Sequence, residues 1–308
     1  MISSFFNRTK PINMLFIVLY AVFFYGLTRF YLYKADWSAG ALTGYAGQIL
    51  VLVFSIFLIS FIIRKNALCE NNSYSALLFV AFMALFPQIF VSPEIIMANL
   101  FVLLALRRII SIRSFIQVKQ KLFDASLWIC VSALFYEWTL VFLLLVFAAI
   151  MVYRVGEYRN WLVPFVAVFV VGMLLLTYVI WFRDLHWVRE TFPFSVDFYS
   201  IRTMTPGFIS AVVLIVLTGL VSVISFITRY KTKPSGVQSS LLLIVIAMLL
   251  ACGVASVSNN RESDEVVFAL FPVAVLAANY LQEIVRPWWK ESLLWFFVAA
   301  PFILLFIN

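Results

Sequence analysis

Long apolar runs alternate with short polar segments from one end of the chain to the other. Bounded by charges or by Pro and Gly, the runs cover about 12–33, 43–63, 75–91, 94–110, 123–137, 139–153, 161–181, 206–228, 239–257, 266–284 and 292–307. A helix needs roughly 20 apolar residues to cross a bilayer. The pattern therefore predicts an all-α, polytopic integral membrane protein with about 11 transmembrane helices. The runs between 75 and 153 are short for a bilayer. They predict two tight helical hairpins, one turning between Pro87 and Glu94 and one at Glu137 and Trp138.

Composition strengthens this reading. Of 308 residues, 65% are hydrophobic and 12% charged, where soluble domains carry about 25% charged residues. With 33 Phe, 9 Trp and 13 Tyr, the chain has more apolar surface than a water-soluble core of this length can bury. Residues 1–308 are expected to form a single transmembrane domain with no separate soluble domain. The net charge of +8 does not point to nucleic acid, because the basic residues sit in short clusters between the apolar runs. Threading the runs alternately puts 16 of the 22 Lys and Arg on one side, the side of Arg8 and Lys10. The positive-inside rule then makes the N-terminus cytoplasmic. The apolar run after Asn13 is long enough to span and lacks a small-residue cleavage site, so it reads as an uncleaved first helix. Cys69, Cys130 and Cys252 have no disulfide or metal spacing.

The acids sort the other way. Asp36, Glu94, Glu137, Asp184, Glu190, Asp197, Glu262, Asp264 and Glu265, nine of 14, fall on the outer side together with His186. Asp36, Glu94 and Glu137 each lie at a membrane boundary, where ionisation costs much less than at mid-bilayer. Wetted helix ends account for each singly, and Glu94 suits a helix N-terminus; their convergence on one outer cavity is the sharper expectation. The outer segment from Phe182 to Thr205 interleaves Arg183, His186, Arg189 and Arg202 with aromatics. That mixture fits lipid headgroups at the interface, and it also fits a pocket for a phosphate-bearing lipid. Several chemistries are excluded. No phosphate-binding Gly-rich loop is present, and one histidine cannot build a multi-histidine iron, haem or copper site. No charged residue falls clearly at mid-span, where coupled transporters keep theirs.

The acid after the first run, the hairpin Leu85-Phe86-Pro87…Ser92-Pro93-Glu94 and the second hairpin Phe135-Tyr136-Glu137-Trp138 form a pattern. With Phe268-Ala269-Leu270-Phe271-Pro272 late in the chain, it resembles the membrane scaffold of GT-C type glycosyltransferases. The resemblance implies a GT-C-like arrangement in the bacterial inner membrane. It also implies transfer of a sugar from a polyprenyl-phosphate donor to an extracytoplasmic acceptor. Asp36 would be the catalytic base and Glu94 would assist it, or the two would hold Mg or Mn between them. Glu137, Arg183, His186, Arg189, Arg202 and Arg261 would bind substrate. The short first outer loop departs from the family, as does the lack of a large C-terminal periplasmic domain. The alternatives are therefore a non-catalytic multi-span subunit or scaffold of a cell-envelope complex, and after it a transporter or lipid flippase. Separately, the opening Met1-Ile2-Ser3-Ser4-Phe5-Phe6…Lys10-Pro11-Ile12-Asn13 resembles that of an uncharacterised bacterial inner-membrane protein family. Expected partners are membrane lipids, a lipid-linked sugar and an envelope protein complex.

The threading makes a direct prediction. A reporter fused after Gly236 should be cytoplasmic and one inserted at Ser195 extracytoplasmic; the same side for both would refute the span assignment.

Overall fold

Hydrocarbon cannot hydrogen-bond a peptide group, so an apolar run entering it must satisfy its backbone within itself, as a helix does. The computed structural model describes residues 2–8, 10–35, 38–183, 205–257 and 264–305; among them there are helices and turns and no strand. The helices are α1 Ile2–Phe6, α2 Pro11–Gly26, α3 Ala39–Lys65, α4 Tyr74–Ala84, α5 Pro93–Ser111 and α6 Val118–Ala133. They continue as α7 Leu143–Val152, α8 Tyr158–Phe182, α9 Pro206–Thr228, α10 Ser235–Val257, α11 Val267–Glu283 and α12 Pro287–Leu305. A π-helical stretch, Leu27–Leu32, extends α2. Short 3-10 turns, Pro87–Phe90, Glu137–Phe142 and Asp264–Val266, lead towards α5, α7 and α11.

Local chemistry marks the helix ends. Proline opens α2, α5, α9 and α12, where its missing N–H costs nothing and its fixed φ suits the first turn. The Ser38 and Thr205 hydroxyls accept from Ala41 N and Phe208 N at 3.3 Å, capping α3 and α9. Within the apolar helices hydroxyls turn back to carbonyls one turn earlier, as Ser55 does to Val51 at 2.8 Å and Thr218 to Leu214 at 2.7 Å.

Seven helical segments among the described residues are long and apolar enough to cross a membrane: Pro11–Leu32, Ala39–Lys65, Pro93–Ser114, Tyr158–Phe182, Pro206–Thr228, Ser235–Ser256 and Asp264–Glu283. The protein is thus an all-helical membrane protein whose apolar helices contact lipid. The expected runs all coincide with helices, yet seven fall short of the expected count of about eleven. Segments 74–84 and 137–152 are shorter apolar helices, and α6 and α12 also lie outside the seven. The case of α4 shows why run length misleads. All its residues, Tyr74 to Ala84, are buried, so protein rather than lipid surrounds it and bilayer thickness does not set its length.

The core is built on α4 and α11, which pack on each other. Around α4 stand α2, α3 and α12; around α11 stand α9 and α10; α5, α6 and α8 form a layer to the side. Of the apolar window of α11, 89% is buried, against 17% for α8, which separates an interior helix from one facing lipid. Hydroxyls also cross between helices: Ser132 donates to the Ala98 carbonyl at 2.8 Å, joining α6 to α5, and Tyr20 donates to the Val298 carbonyl at 2.9 Å, joining α2 to α12.

The polar ends of the bundle are tied together separately. At the end that holds α1, the Ser3 N–H donates to Glu291 at 3.0 Å, and the Tyr74 hydroxyl donates to the Ser3 carbonyl at 2.7 Å. Arg113 donates to the Asn66 carbonyl at 3.0 Å. Lys233 lies 3.2 Å from Glu283 and donates to Asn279 at 2.6 Å. A Cβ on Gly236 would collide with the Arg113 guanidinium, so glycine there lets the arginine cross the start of α10. Asn279 donates to the Cys69 sulfur at 3.2 Å, and burial pushes the Cys69 thiol up to about 11. The loops thus joined carry many of the basic residues that threading places on one side.

Candidate functional site

At the far end of α2 the helix widens. The Tyr33 N–H donates to the Thr28 carbonyl at 3.0 Å and the Ala35 N–H to the Arg29 carbonyl at 2.9 Å. Lys34 then takes a positive φ of 46°, which closes the helix. π-Turns of this kind concentrate at functional sites because the extra residue re-aims a side chain. Here the side chain is Arg29, only 8% exposed.

Three acceptors hold the guanidinium. Nε donates to the Phe90 carbonyl at 3.1 Å, and Nη2 donates to the Val91 carbonyl at 2.9 Å and to Gln48 Oε1 at 2.7 Å. The Tyr25 hydroxyl donates to the same Gln48 oxygen at 2.6 Å. The guanidinium carbon lies 4.9 Å from the centre of the Tyr45 ring and 5.8 Å from that of Tyr25, within cation–π range. All these partners are neutral. Among the described residues no carboxylate pairs with Arg29, and Nη1 makes no hydrogen bond. Burying a cation whose described partners are all neutral is costly, so its retention beside this turn marks the place.

The turn that binds Arg29 links it to a second buried group. Pro87–Phe90 packs against Asp264–Val266, and there Asp264 is 1% exposed and Glu265 fully buried. Both are expected in a wet outer loop; they stand instead at the entrance to α11, in the most buried of the seven candidate spans. Tyr136 donates to Glu265 Oε1 at 3.2 Å, while its ring stacks on Phe268 with centroids 5.8 Å apart. The Tyr136 carbonyl accepts from the Thr139 hydroxyl at 2.8 Å, which holds the second hairpin turn. The result is a buried polar layer of opposite charges at the end of the bundle away from α1, carried by the π-turn and two hairpin turns.

The expected site residues fall unevenly around this layer. Glu94 is exposed in the first turn of α5, three residues beyond the Val91 carbonyl that Arg29 binds, and it makes no hydrogen bond or ion pair among the described residues. Glu137 is half-buried beside Tyr136, at the start of its 3-10 turn. Arg183 is exposed just past α8, its N–H bonded to the Val179 carbonyl at 2.9 Å. Asp36, His186, Arg189, Arg202 and Arg261 lie outside the described residues. The chain leading to Asp36 does leave from the layer, through the Ala35–Arg29 bond. Among the described residues there is no group of three or more His, Cys, Asp and Glu that could hold a metal ion.

Sequence reasoning missed Arg29, Gln48, Tyr25 and Tyr45. A signal was present: Tyr25 and Arg29 are four apart and share one helical face, and Gln48 is the amide near the start of an apolar helix. By its position near the end of the 12–33 run, Arg29 reads as an ordinary loop charge.

Residues 8–308 match the model of a family described as a family of unknown function, DUF6427. The chain belongs to this family. No curated protein and no solved structure matches it. The match accords with the resemblance of its opening segment to an uncharacterised membrane family.

The clamp has a measurable consequence. Arg29→Ala leaves the Phe90 and Val91 carbonyls without their donor, at about 1–3 kcal/mol each for a buried group. Tyr25→Phe removes one neutral hydrogen bond, about 0.5–1.5 kcal/mol. Thermal unfolding in detergent should show a clearly larger drop for Arg29→Ala; equal drops would mean that the guanidinium does not hold the turn.

Proposed function

We propose that this protein is a GT-C-like membrane glycosyltransferase of the bacterial inner membrane. It takes a sugar from a polyprenyl-phosphate donor and passes it to an acceptor on the side away from its N-terminus. The observation that carries this reading is the buried Arg29 guanidinium, whose described partners are all neutral. A phosphate supplies the missing counter-charge. Arginine also suits phosphate geometrically, because its planar fork donates two parallel bonds. Asp36, which the resemblance makes the base, follows the π-turn by a few residues and would take the proton from the acceptor hydroxyl. Glu94 stands at the rim of the same turn. The buried Asp264 and Glu265, with Tyr136, would shape the opposite wall.

A second reading is favoured by α8. This helix is the least buried of the seven candidate spans and exposes Phe165, Phe169, Trp181 and Phe182. A non-catalytic subunit of a cell-envelope complex would present such a helix to its partner.

Two variants separate the readings. Purified protein is incubated with undecaprenyl phosphate and examined by native mass spectrometry, and release of polyprenyl phosphate from lipid-linked sugars of host membranes is followed in parallel. Wild type should hold the lipid phosphate and release it from the sugar-bearing pool. Asp36→Asn should still hold the lipid but turn over roughly 10²–10⁴ times more slowly. Arg29→Gln should lose the adduct. A wild type that binds only bulk phospholipid and runs as a stoichiometric complex with another envelope protein would overturn the transferase reading in favour of the subunit.

A further inference from the structure

At the other end of α2, about 28 Å from Arg29 along the helix at 1.5 Å per residue, a groove of about 870 Å³ runs between α2 and α3. Its walls are apolar: Leu15, Val18 and Phe57 line it, and Leu15 and Phe57 are exposed. Its mouth is basic. Lys10 precedes α2, and Arg64 and Lys65 end α3, so all three stand where the helices leave the apolar zone. Just inside, the Phe61 ring has Lys65 and a fourth charge, Arg107, over its face. The Lys65 ammonium is 5.4 Å and the Arg107 guanidinium carbon 4.8 Å from its centroid. The Ser60 hydroxyl lines the groove beside Met14, 3.4 Å from its sulfur.

The acids at this end do not answer those charges. Asp124 pairs with Arg108 at 3.0 Å and Glu157 with Lys119 at 3.8 Å. Glu283 is held by Lys233 at 3.2 Å and Arg229 at 3.5 Å. Glu291 accepts from Ser3, and Glu70 acts on Lys290. Among the described residues Lys10, Arg64, Lys65 and Arg107 have no carboxylate partner. Like charges crowded at a membrane boundary raise the local potential, and an anion in the headgroup layer relieves it.

We infer that the α2–α3 groove is a binding site for one anionic glycerophospholipid of the leaflet on the N-terminal side. Its phosphate lies between Lys10, Arg64 and Lys65, and an acyl chain lies along Leu15, Val18 and Phe57. A zwitterionic lipid fits the apolar wall equally well, but its own ammonium meets the three cations. Selectivity therefore resides in the mouth and occupancy in the wall. This site is at the opposite end of α2 from the Arg29 layer and does not depend on what that layer binds.

The test is lipid retention. Purified protein is equilibrated with equal amounts of phosphatidylglycerol and phosphatidylcholine of the same chains, and retained lipid is counted by native mass spectrometry. Each basic residue near the surface contributes about 1 kcal/mol towards an anionic lipid. Wild type should thus prefer phosphatidylglycerol by on the order of 100-fold. Lys10→Gln/Arg64→Gln/Lys65→Gln should reduce that preference to near unity, and Lys119→Gln/Arg159→Gln, removing equal-sign charge elsewhere at the same end, should leave it intact. Leu15→Trp, at an exposed position, should block the groove and lower retention with the cations still present. Equal retention of the two lipids by wild type would overturn the site. An unchanged preference in the triple variant would do so too, as would a loss in the control pair equal to that in the triple variant.

Discussion

Hydrocarbon offers no hydrogen bonds, and the arrangement of this molecule follows from that constraint. Backbone groups close on themselves in helices, and hydroxyls such as Ser55 and Thr218 fold back on the preceding turn. The stronger polar groups are driven to the two ends of the bundle. There they are treated differently. The end with α1 is wet and basic, and its acids are mostly matched to cations in loops that brace one another. The opposite end buries charge: Arg29 under the first hairpin, Asp264 and Glu265 under the second. The interior between them is left to α4 and α11, which need no contact with lipid.

Much of this organisation is legible in the sequence, since it rests on length and polarity. The apolar runs coincide with the helices, and the second pair of short runs turns back on itself, α6 on α7, whereas α4 packs on α11 rather than on α5. Their shortness has a reason invisible to hydropathy. Tyr74–Ala84 is enclosed by other helices, and an enclosed helix is judged by its neighbours rather than by bilayer thickness. Hydropathy counts apolar residues without distinguishing a core from a lipid face, so run length alone does not number the spans.

The candidate site was less legible, for a related reason. Asp264 and Glu265 follow a charged segment and read as solvent-facing. Only the packing of the Pro87–Phe90 turn on theirs reveals burial. Arg29 reads as a topology charge because position along a run says nothing about which way a side chain points. The π-turn decides that direction, and no residue preference in Leu27–Leu32 announces it. Glu94 and Glu137, acids expected at hairpin tips, lie next to the buried polar layer. They flank the layer rather than forming its core.

We propose that Arg29 is buried to meet a lipid phosphate rather than only to brace a turn. The most direct measurement is an experimental structure of the protein in lipid nanodiscs, determined with a short-chain polyprenyl phosphate present. Phosphate density is expected within hydrogen-bonding distance of Arg29 Nη1, with the Phe90, Val91 and Gln48 contacts preserved on the other donors. A guanidinium that instead closes on a carboxylate of this same chain, with the lipid phosphate bound elsewhere or not at all, would contradict it.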